Sequence, residues 1–135
     1  MTDRDLIEKK LARIVTHVEE LRLLARPEII RSDIREERFV EHTLQLAVQA
    51  ALDVASHVVS DQRLGEPRAN RELFELLARA GWIDEALARV MVQVVGFRNV
   101  LVHGYEDVDL AIVEDVLRNR LDDFLVFVSA IQRRL

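Results

Sequence analysis

The apolar residues of this chain recur every three or four positions over long stretches that contain almost no glycine or proline. Such spacing is typical of amphipathic helices, because residues three and four apart lie on the same face of a helix. The 135 residues include only four glycines and two prolines, although such residues usually bound strands and form hairpin turns. The sequence therefore predicts an all-α protein, and its length favours a single domain over residues 1–135.

Five helical segments can be placed from this periodicity, four of them long and one short. The predicted helices cover residues 3–26, 33–62, 71–80, 84–102 and a last segment from Asp107 or Asp109 to the C terminus. Polar residues cap the first amides of helices, and glycine or proline often ends them. The predicted caps and stop residues are Thr2, Pro27, Ser32, Asn70, Gly81 and Gly104. This layout predicts an up-and-down four-helix bundle with a short additional helix.

The first and last helices carry an apolar stripe, which predicts the residues that face the core. On the first helix these are Leu6, Leu11, Ile14, Val18, Leu21 and Leu24. On the last helix they are Leu110, Val113, Leu117, Leu121, Phe124, Val128 and Ile131. The middle of the second helix, LQLAVQAALDVASHVV, is apolar nearly all round, which predicts burial on several sides. This apolar surface exceeds what one small bundle core requires, so we expect a homodimer.

The composition excludes several kinds of catalytic or binding site. The chain has no cysteine, so it forms neither disulfides nor thiolate metal sites. The four histidines (His17, His42, His57 and His103) lack a glutamate three residues before them, and no two are four apart. Because helical metal-binding patterns are absent from the sequence, we expect no metal and no other cofactor. The serines lie in no glycine elbow, and the sequence contains no glycine-rich phosphate loop.

Charge and hydropathy restrict the surroundings in which the chain works. The first residues, MTDRDLIEKK, are charged, unlike a secretory signal, and no apolar run approaches the roughly 20 residues that cross a bilayer. We therefore expect a cytoplasmic protein without membrane contact. The net charge of −5 disfavours nucleic-acid binding through an overall positive field, although it allows a small local site.

Polar residues recur at every fourth position along one face of the second helix. They are Gln45, Gln49, Asp53 and His57. Such a seam is typical of a hydrogen-bonded structural feature, and it can also line a groove. Among the four, Asp53 is the residue that we expect to orient another group, as a supporting polar residue of a site.

A compact polar cluster, RNVLVHGY, ends the otherwise apolar fourth helix at residues 98–105. Arg98 and His103 are five residues apart, so on a regular helix they differ by about 140° in direction. They share a face only if the helix ends or distorts, and Gly104 predicts such an end. The cluster fits either a capped helix end, where a protonated histidine is favourable, or an active site.

The octapeptide RNVLVHGY resembles the signature of the HepT-type ribonucleases of the HEPN superfamily. That signature consists of arginine, a polar residue, three further residues, histidine, any residue and tyrosine. The segment LQLAVQAALDVASHVVSD is similar to the second helix of the same family. The chain length and the all-helical layout also fit, so the resemblance covers nearly the whole chain.

The resemblance implies a dimeric bundle in which the motifs of two subunits approach each other at the interface. It implies metal-independent cleavage of RNA, with tRNA as one target class, by the catalytic pair Arg98 and His103 and with Asn99 as polar neighbour. It also implies the toxin role in a type VII toxin–antitoxin system. The antitoxin partner of such a toxin is an MNT-type (MntA-like) nucleotidyltransferase, which transfers AMP to the tyrosine matched by Tyr105.

Two other functions are open from the residues alone. A non-catalytic HEPN module would bind a nucleotidyltransferase or a nucleotide through the same groove, and the net acidity slightly favours it. A plain dimeric scaffold would keep Arg98, His103 and Tyr105 apart, each bonded elsewhere. An RNA-cleavage assay with the purified protein separates the enzyme from both alternatives.

Overall fold

The structure is a computed structural model of one chain, which describes the backbone of residues 3–103 and 109–135 and the side chains of residues 3–97 and 109–135. All regular structure in these ranges is helical, which confirms the predicted all-α class. In chain order the helices are α1 (Arg4–Leu24), α2 (Ile34–Asp61), α3 (Asn70–Arg79), α4 (Glu85–His103), α5 (Leu110–Asp115) and α6 (Leu121–Gln132). A 3₁₀ turn, Pro27–Ile29, precedes α2, and a π-helical segment, Val116–Arg120, joins α5 to α6.

The helices α1 and α2 form an antiparallel pair. The Asp3 amide donates to Asp61 Oδ2 at 3.0 Å, which brings the start of α1 to the end of α2. At the opposite end, the side chain of Glu36 is only 8% exposed, and its Oε1 accepts from the Arg26 amide at 2.8 Å. This carboxylate satisfies a backbone donor in the tight connection, since a buried amide without a partner is costly.

The remaining long helices continue the up-and-down order. Arg22, near the end of α1, forms an ion pair with Asp122, near the start of α6. Arg134 Nη1 donates to the Gly81 carbonyl at 2.9 Å, so the end of α6 lies beside the turn that precedes α4. The start of α6 therefore lies at the same end of the bundle as the end of α4. We call this end of the bundle, where α4 finishes at His103, the motif end.

The core contains residues from all the major helices. The middle of α2 is buried on several sides, as predicted, with 13 buried residues along its length. Phe74 on α3 and Phe127 on α6 are both fully buried and pack edge to face, with ring centroids 5.8 Å apart. The large aromatic surfaces tie the short helix α3 to the last helix, because burial of apolar area is the main stabilising contribution in such bundles.

The turn between α3 and α4 shows why a glycine stands at position 81. Gly81 has a φ of +78°, in the left-handed region that side chains rarely adopt. The Trp82 amide donates back to the Leu77 carbonyl at 2.9 Å, which closes the end of α3. Arg134 stacks over the Trp82 ring at 5.0 Å and fastens this turn to the C-terminal end of α6. The predicted stop at Gly81 is confirmed.

The predicted caps of α2 and α3 are wrong by one residue. The cap of α2 is Asp33 rather than Ser32, because Asp33 Oδ1 accepts from the Arg35 amide at 2.9 Å. Asn70 is the first residue of α3 and does not cap it, and the preceding Ala69 has no side chain that could do so. At the start of α2 both Ser32 and Asp33 suit the cap position and the backbone selects Asp33, whereas α3 starts one residue early and has no side-chain cap.

The prediction for α1 needs two corrections. Ile7 is fully buried and replaces Leu6 in the core stripe, and Leu24 is 56% exposed because it lies at the end of the helix. The side chain of Asp3 caps the helix by accepting from the Leu6 amide at 3.1 Å. The predicted cap Thr2, which itself lies outside the described residues, is therefore wrong by one position. The rest of the stripe is confirmed, with Leu11, Ile14, Val18 and Leu21 at most 1% exposed.

The last helix starts as predicted but is not continuous. Asp109 caps it by accepting from the Ala111 amide at 2.9 Å, and the other proposed cap, Asp107, lies outside the described residues. The π-helical segment between α5 and α6 was not predicted, because the apolar stripe keeps a helical period across it. Except for the half-buried Leu110, the predicted stripe residues are buried.

Among residues 3–103 and 109–135, no helix combines the length with the apolar character needed to cross a lipid bilayer.

Candidate functional site

The helix α4 carries three of the five residues of the predicted site. It begins after Asp84, whose Oδ1 accepts from the Leu87 amide at 2.7 Å, and it runs to His103. Arg98, Asn99 and His103 therefore lie in the last two turns of one helix. Tyr105 and the predicted stop residue Gly104 lie outside the described residues.

The helical geometry of α4 determines the relative positions of Arg98 and His103 within one chain. Because the helix continues through His103, it does not end between the two residues. Five residues of α-helix correspond to a rise of about 7.5 Å and a rotation of about 140° between the two Cα positions. A single copy of α4 therefore places the arginine and the histidine on different faces. This geometry does not by itself assemble a site in which both touch one phosphate.

A groove lies beside the part of α4 that precedes Arg98. Its volume is about 190 Å³, and α4, α5 and the π-helical segment form its walls. The lining residues are Val90, Gln93, Val94, Phe97, Ile112, Asp115, Val116 and Arg120. We call it the α4–α5 groove. Nothing in the sequence pattern predicted it, because it depends on how the π-helical segment turns toward α4.

Two carboxyl groups in the described part of the chain have raised pKa values. Burial raises the pKa of Asp123, and the neighbouring Asp122 adds to the effect, whereas the Arg120 guanidinium opposes it. Burial also raises the pKa of Glu41, and the nearby carboxyl of Glu37 acts in the same direction. In each case a carboxyl oxygen is buried without a hydrogen-bond partner, namely Asp123 Oδ2 and Glu41 Oε1. Both groups therefore hold a proton more readily than an exposed carboxyl does.

The polar seam of α2 is a bonded structural feature around Asp53. One oxygen of Asp53 accepts from Lys10 Nζ at 3.1 Å, and the other accepts from Gln49 Nε2 at 2.9 Å. Asp53 also lies in the C-terminal half of α2, whereas the motif end is at the start of that helix. No group of three histidine or acidic side chains suited to a metal ion occurs among the described residues.

Comparison with known families decides what kind of protein carries this site. The family model described as ribonuclease HepT-like matches residues 8–131, which is nearly the whole chain. This chain belongs to the HepT-like ribonuclease family. The predicted membership of the HepT-type ribonucleases of the HEPN superfamily is thereby confirmed.

Individual relatives of this chain are also HepT nucleases. The mRNA nuclease HepT of Shewanella oneidensis is 37% identical over 89 residues, which are 66% of this chain and 67% of the relative. The tRNA nuclease HepT of Aphanizomenon flos-aquae is 31% identical over 104 residues, 77% of this chain and 71% of the relative. The predicted class of enzyme, a ribonuclease, is confirmed.

A solved structure extends the agreement to the fold and the biological setting. It is the tri-AMPylated HEPN toxin of Shewanella oneidensis in complex with an MNT antitoxin, with a TM-score of 0.88 and 30% identity. The match covers 98% of this chain and 99% of the Shewanella toxin. The predicted toxin–antitoxin family is therefore confirmed, together with the HEPN bundle.

The contacts of Asp53 make a prediction that separates structure from catalysis. Asp53→Asn should lower the free energy of unfolding by about 1 kcal/mol, since it removes one partly exposed ion pair and weakens one hydrogen bond. The rate of RNA cleavage by the HepT-like chain should stay within about twofold of the parent, because a structural pair does not touch the reacting atoms. Urea unfolding and a cleavage assay measure the two quantities.

The matched control for this experiment is Lys10→Gln, which breaks the same ion pair from the other side. Both variants should lose similar stability and keep their activity. If Asp53→Asn abolished cleavage while Lys10→Gln did not, Asp53 would have the supporting role in the site that its position in the polar seam first suggested.

Proposed function

We propose that this chain is the RNA-cleaving toxin of a toxin–antitoxin pair, and that Arg98 and His103 are its catalytic residues, with Asn99 as their polar neighbour. The observation that carries the proposal is the arginine–histidine spacing at the end of α4, in a chain that the ribonuclease family model matches over residues 8–131. The substrate class is RNA, and the named relatives act on mRNA and on tRNA.

The chemistry follows from the two residue types. The 2′-oxygen of a ribose loses its proton and bonds to the adjacent phosphorus, and the 5′-oxygen of the next nucleotide leaves and takes up a proton. Histidine suits these proton transfers, since its pKa lies near neutrality. The guanidinium of Arg98 donates two parallel hydrogen bonds to the phosphate oxygens and stabilises the charge that develops on them. This reaction requires no metal ion.

In the proposed homodimer, two copies of the chain would together supply the acid and the base of the reaction. One histidine per chain is a single proton carrier, whereas the reaction needs a base and an acid. The rotation of about 140° between Arg98 and His103 on α4 likewise favours a site completed by a second copy. Apolar residues suited to such an interface remain exposed near the motif end: Leu23 and Leu24 on α1 are 82% and 56% exposed, and Ile34 on α2 is 62% exposed.

The proposed antitoxin is a nucleotidyltransferase of the MNT type, by analogy with the complex of the Shewanella toxin. Its target in this chain is Tyr105, two residues after His103. Transfer of AMP forms a bond from the tyrosine oxygen to the α-phosphorus of ATP and releases pyrophosphate. The added phosphate and nucleoside bring negative charge and bulk to the place where an RNA phosphate must bind, so cleavage stops.

The Tyr105→Phe variant tests this regulation. When it is co-expressed with the MNT-type nucleotidyltransferase proposed as its antitoxin, its intact mass should show no adenylyl group, because the acceptor oxygen is missing. The parent protein should gain one or more such groups. The variant should also stay active in an RNA-cleavage assay after incubation with the antitoxin and ATP, whereas the parent should lose its activity.

The same assay tests the enzyme itself. Purified parent protein in the presence of EDTA should cleave RNA and leave a cyclic phosphate at the new 3′ end, as attack by the 2′-hydroxyl requires. No cleavage of total RNA by an unmodified, folded protein would favour the non-catalytic module instead. If the Tyr105→Phe variant still carried an adenylyl group, the acceptor of AMP would be a residue other than Tyr105.

A further inference from the structure

The α4–α5 groove leads along α4 toward the proposed catalytic arginine. Phe97, which lines the groove and is 5% exposed, directly precedes Arg98 in the helix. Together with Val90 and Val94, one and two turns earlier, it forms an apolar wall on α4. Ile112 on α5 forms part of the opposite wall, and it is a large apolar side chain that remains 42% exposed. The groove is therefore a slot with apolar walls, and its lining on α4 includes the residue that directly precedes Arg98.

The polar groups of this groove are of both kinds, donors and acceptors. Gln93 is exposed on α4 and contributes an amide, and Asp115 contributes a carboxylate whose Oδ1 already accepts from Asn119 at 2.8 Å. The guanidinium of Arg120 lies 3.8 Å from Asp115 Oδ2 and 3.9 Å from Asp123 Oδ2. Both distances exceed hydrogen-bond length, so the Arg120 donors remain available to a ligand.

The π-helical segment explains how Arg120 reaches this place. The backbone of Arg120 has φ −117° and ψ −2°, which departs from ideal α-helical values but stays in the right-handed helical region, and α6 begins at the next residue. Arg118, two residues earlier, lines a different cavity beside α1. The two arginines of the segment are thus directed to different sides of the bundle. Unusual helical turns of this kind are often found at functional sites.

The chemistry of the slot fits a nucleobase better than a phosphate group. A phosphate has only acceptors, and the two carboxylates within 4 Å of Arg120 would repel it. A nucleobase presents donors and acceptors at its edges and apolar faces, which match the polar rim and the apolar walls. Resting on the proposed RNA cleavage, we propose that the α4–α5 groove holds the base of a nucleotide that flanks the cleaved bond, and that Arg120 binds its edge.

The test measures the binding of a short, labelled 2′-O-methyl RNA, which the protein cannot cleave because the attacking hydroxyl is blocked. Copies of this RNA carry one abasic site at each position in turn. For the parent protein, one position should be sensitive, with a rise in Kd of about tenfold when its base is missing. Arg120→Ala should bind the intact RNA about tenfold more weakly and should no longer respond to that abasic site.

Two further variants make the result specific to the groove. Ile112→Ser alters the opposite wall and should weaken RNA binding as Arg120→Ala does. Agreement between the two variants would show that the loss does not come from misfolding caused by one substitution. Arg118→Ala removes an exposed arginine of the same segment that does not line the groove, and it should behave like the parent. Circular dichroism and the solution mass of each variant are recorded alongside.

Three results would overturn the inference. Equal weakening of intact and abasic RNA by Arg120→Ala would mean that the guanidinium contacts a phosphate. A change in the solution mass of the Ile112→Ser or Arg120→Ala protein would mean that a second copy covers the groove. Unchanged RNA binding by both the Ile112→Ser and the Arg120→Ala variants would mean that RNA does not occupy the groove. If the parent cleaves ordinary RNA in any of these cases, the proposed function stands and only the base site fails.

Discussion

The His103→Ala variant is expected to cleave RNA about 10²–10⁴-fold more slowly than the parent protein, which is the usual contribution of a positioned acid or base. Without the imidazole, neither the attacking 2′-oxygen nor the leaving 5′-oxygen has a proton carrier of suitable pKa. Single-turnover cleavage of a labelled RNA measures the effect directly, because substrate release and product release do not enter the rate.

Arg98→Ala should lose activity to a similar extent, since the developing charge on the phosphate would be left without its cation. Arg98→Lys should recover only part of this loss, because an ammonium group cannot form the two parallel hydrogen bonds of a guanidinium. The matched controls are His42→Ala and Arg89→Ala, which remove exposed residues of the same types from α2 and α4. Parental cleavage rates in His103→Ala would exclude the proposed mechanism, whatever the controls show.

The largest effect on stability is expected for Phe74→Ala, which should lower the free energy of unfolding by about 3–5 kcal/mol. Phe74 is fully buried and contacts Phe127 edge to face, so its removal leaves a cavity between α3 and α6 and also removes a ring contact. Urea unfolding followed by circular dichroism measures the change as a shift of the midpoint.

Leu23→Ala is the control for that experiment, because Leu23 is 82% exposed in the chain. Its effect on the isolated subunit should stay within about 0.5 kcal/mol. A small effect of Phe74→Ala, comparable to that of the control, would contradict the packing of α3 against α6. A dependence of the Leu23→Ala effect on protein concentration would instead indicate that this residue lies in a subunit interface.

The helices could be predicted from the sequence because the buried face of each helix requires apolar residues at every third or fourth position. Four of the five buried residues of α1 were identified from their spacing alone, and the error at Leu6 was a choice between two adjacent apolar residues. The caps were less predictable. Ser32 and Asp33 both have side chains that can accept from an amide, and only the backbone geometry of the connection selects Asp33.

The proposed catalytic pair and the α4–α5 groove differ in how far they could be predicted. Arg98 and His103, the proposed catalytic pair, lie on one helix, so their placement follows from the helical register of α4 together with the family resemblance. The α4–α5 groove combines Phe97 with Arg120, which are brought together by the packing of two helices and by a change of helical type. No local pattern predicts either event, because the apolar stripe of the last helix passes through the π-helical segment without a break.

The π-helical segment also has a consequence for how related chains can differ in length. A π turn accommodates one more residue than an α turn, so Val116–Arg120 is equivalent to a one-residue insertion that the core has absorbed. Val116, Leu117 and Leu121 around it are all buried, so the packing on both sides is retained. A relative that lacks this residue could keep the same bundle while its counterpart of Arg120 turned away from α4. With the proposed base binding by Arg120, a one-residue deletion within Val116–Arg120 would therefore alter substrate preference without changing the proposed catalytic pair.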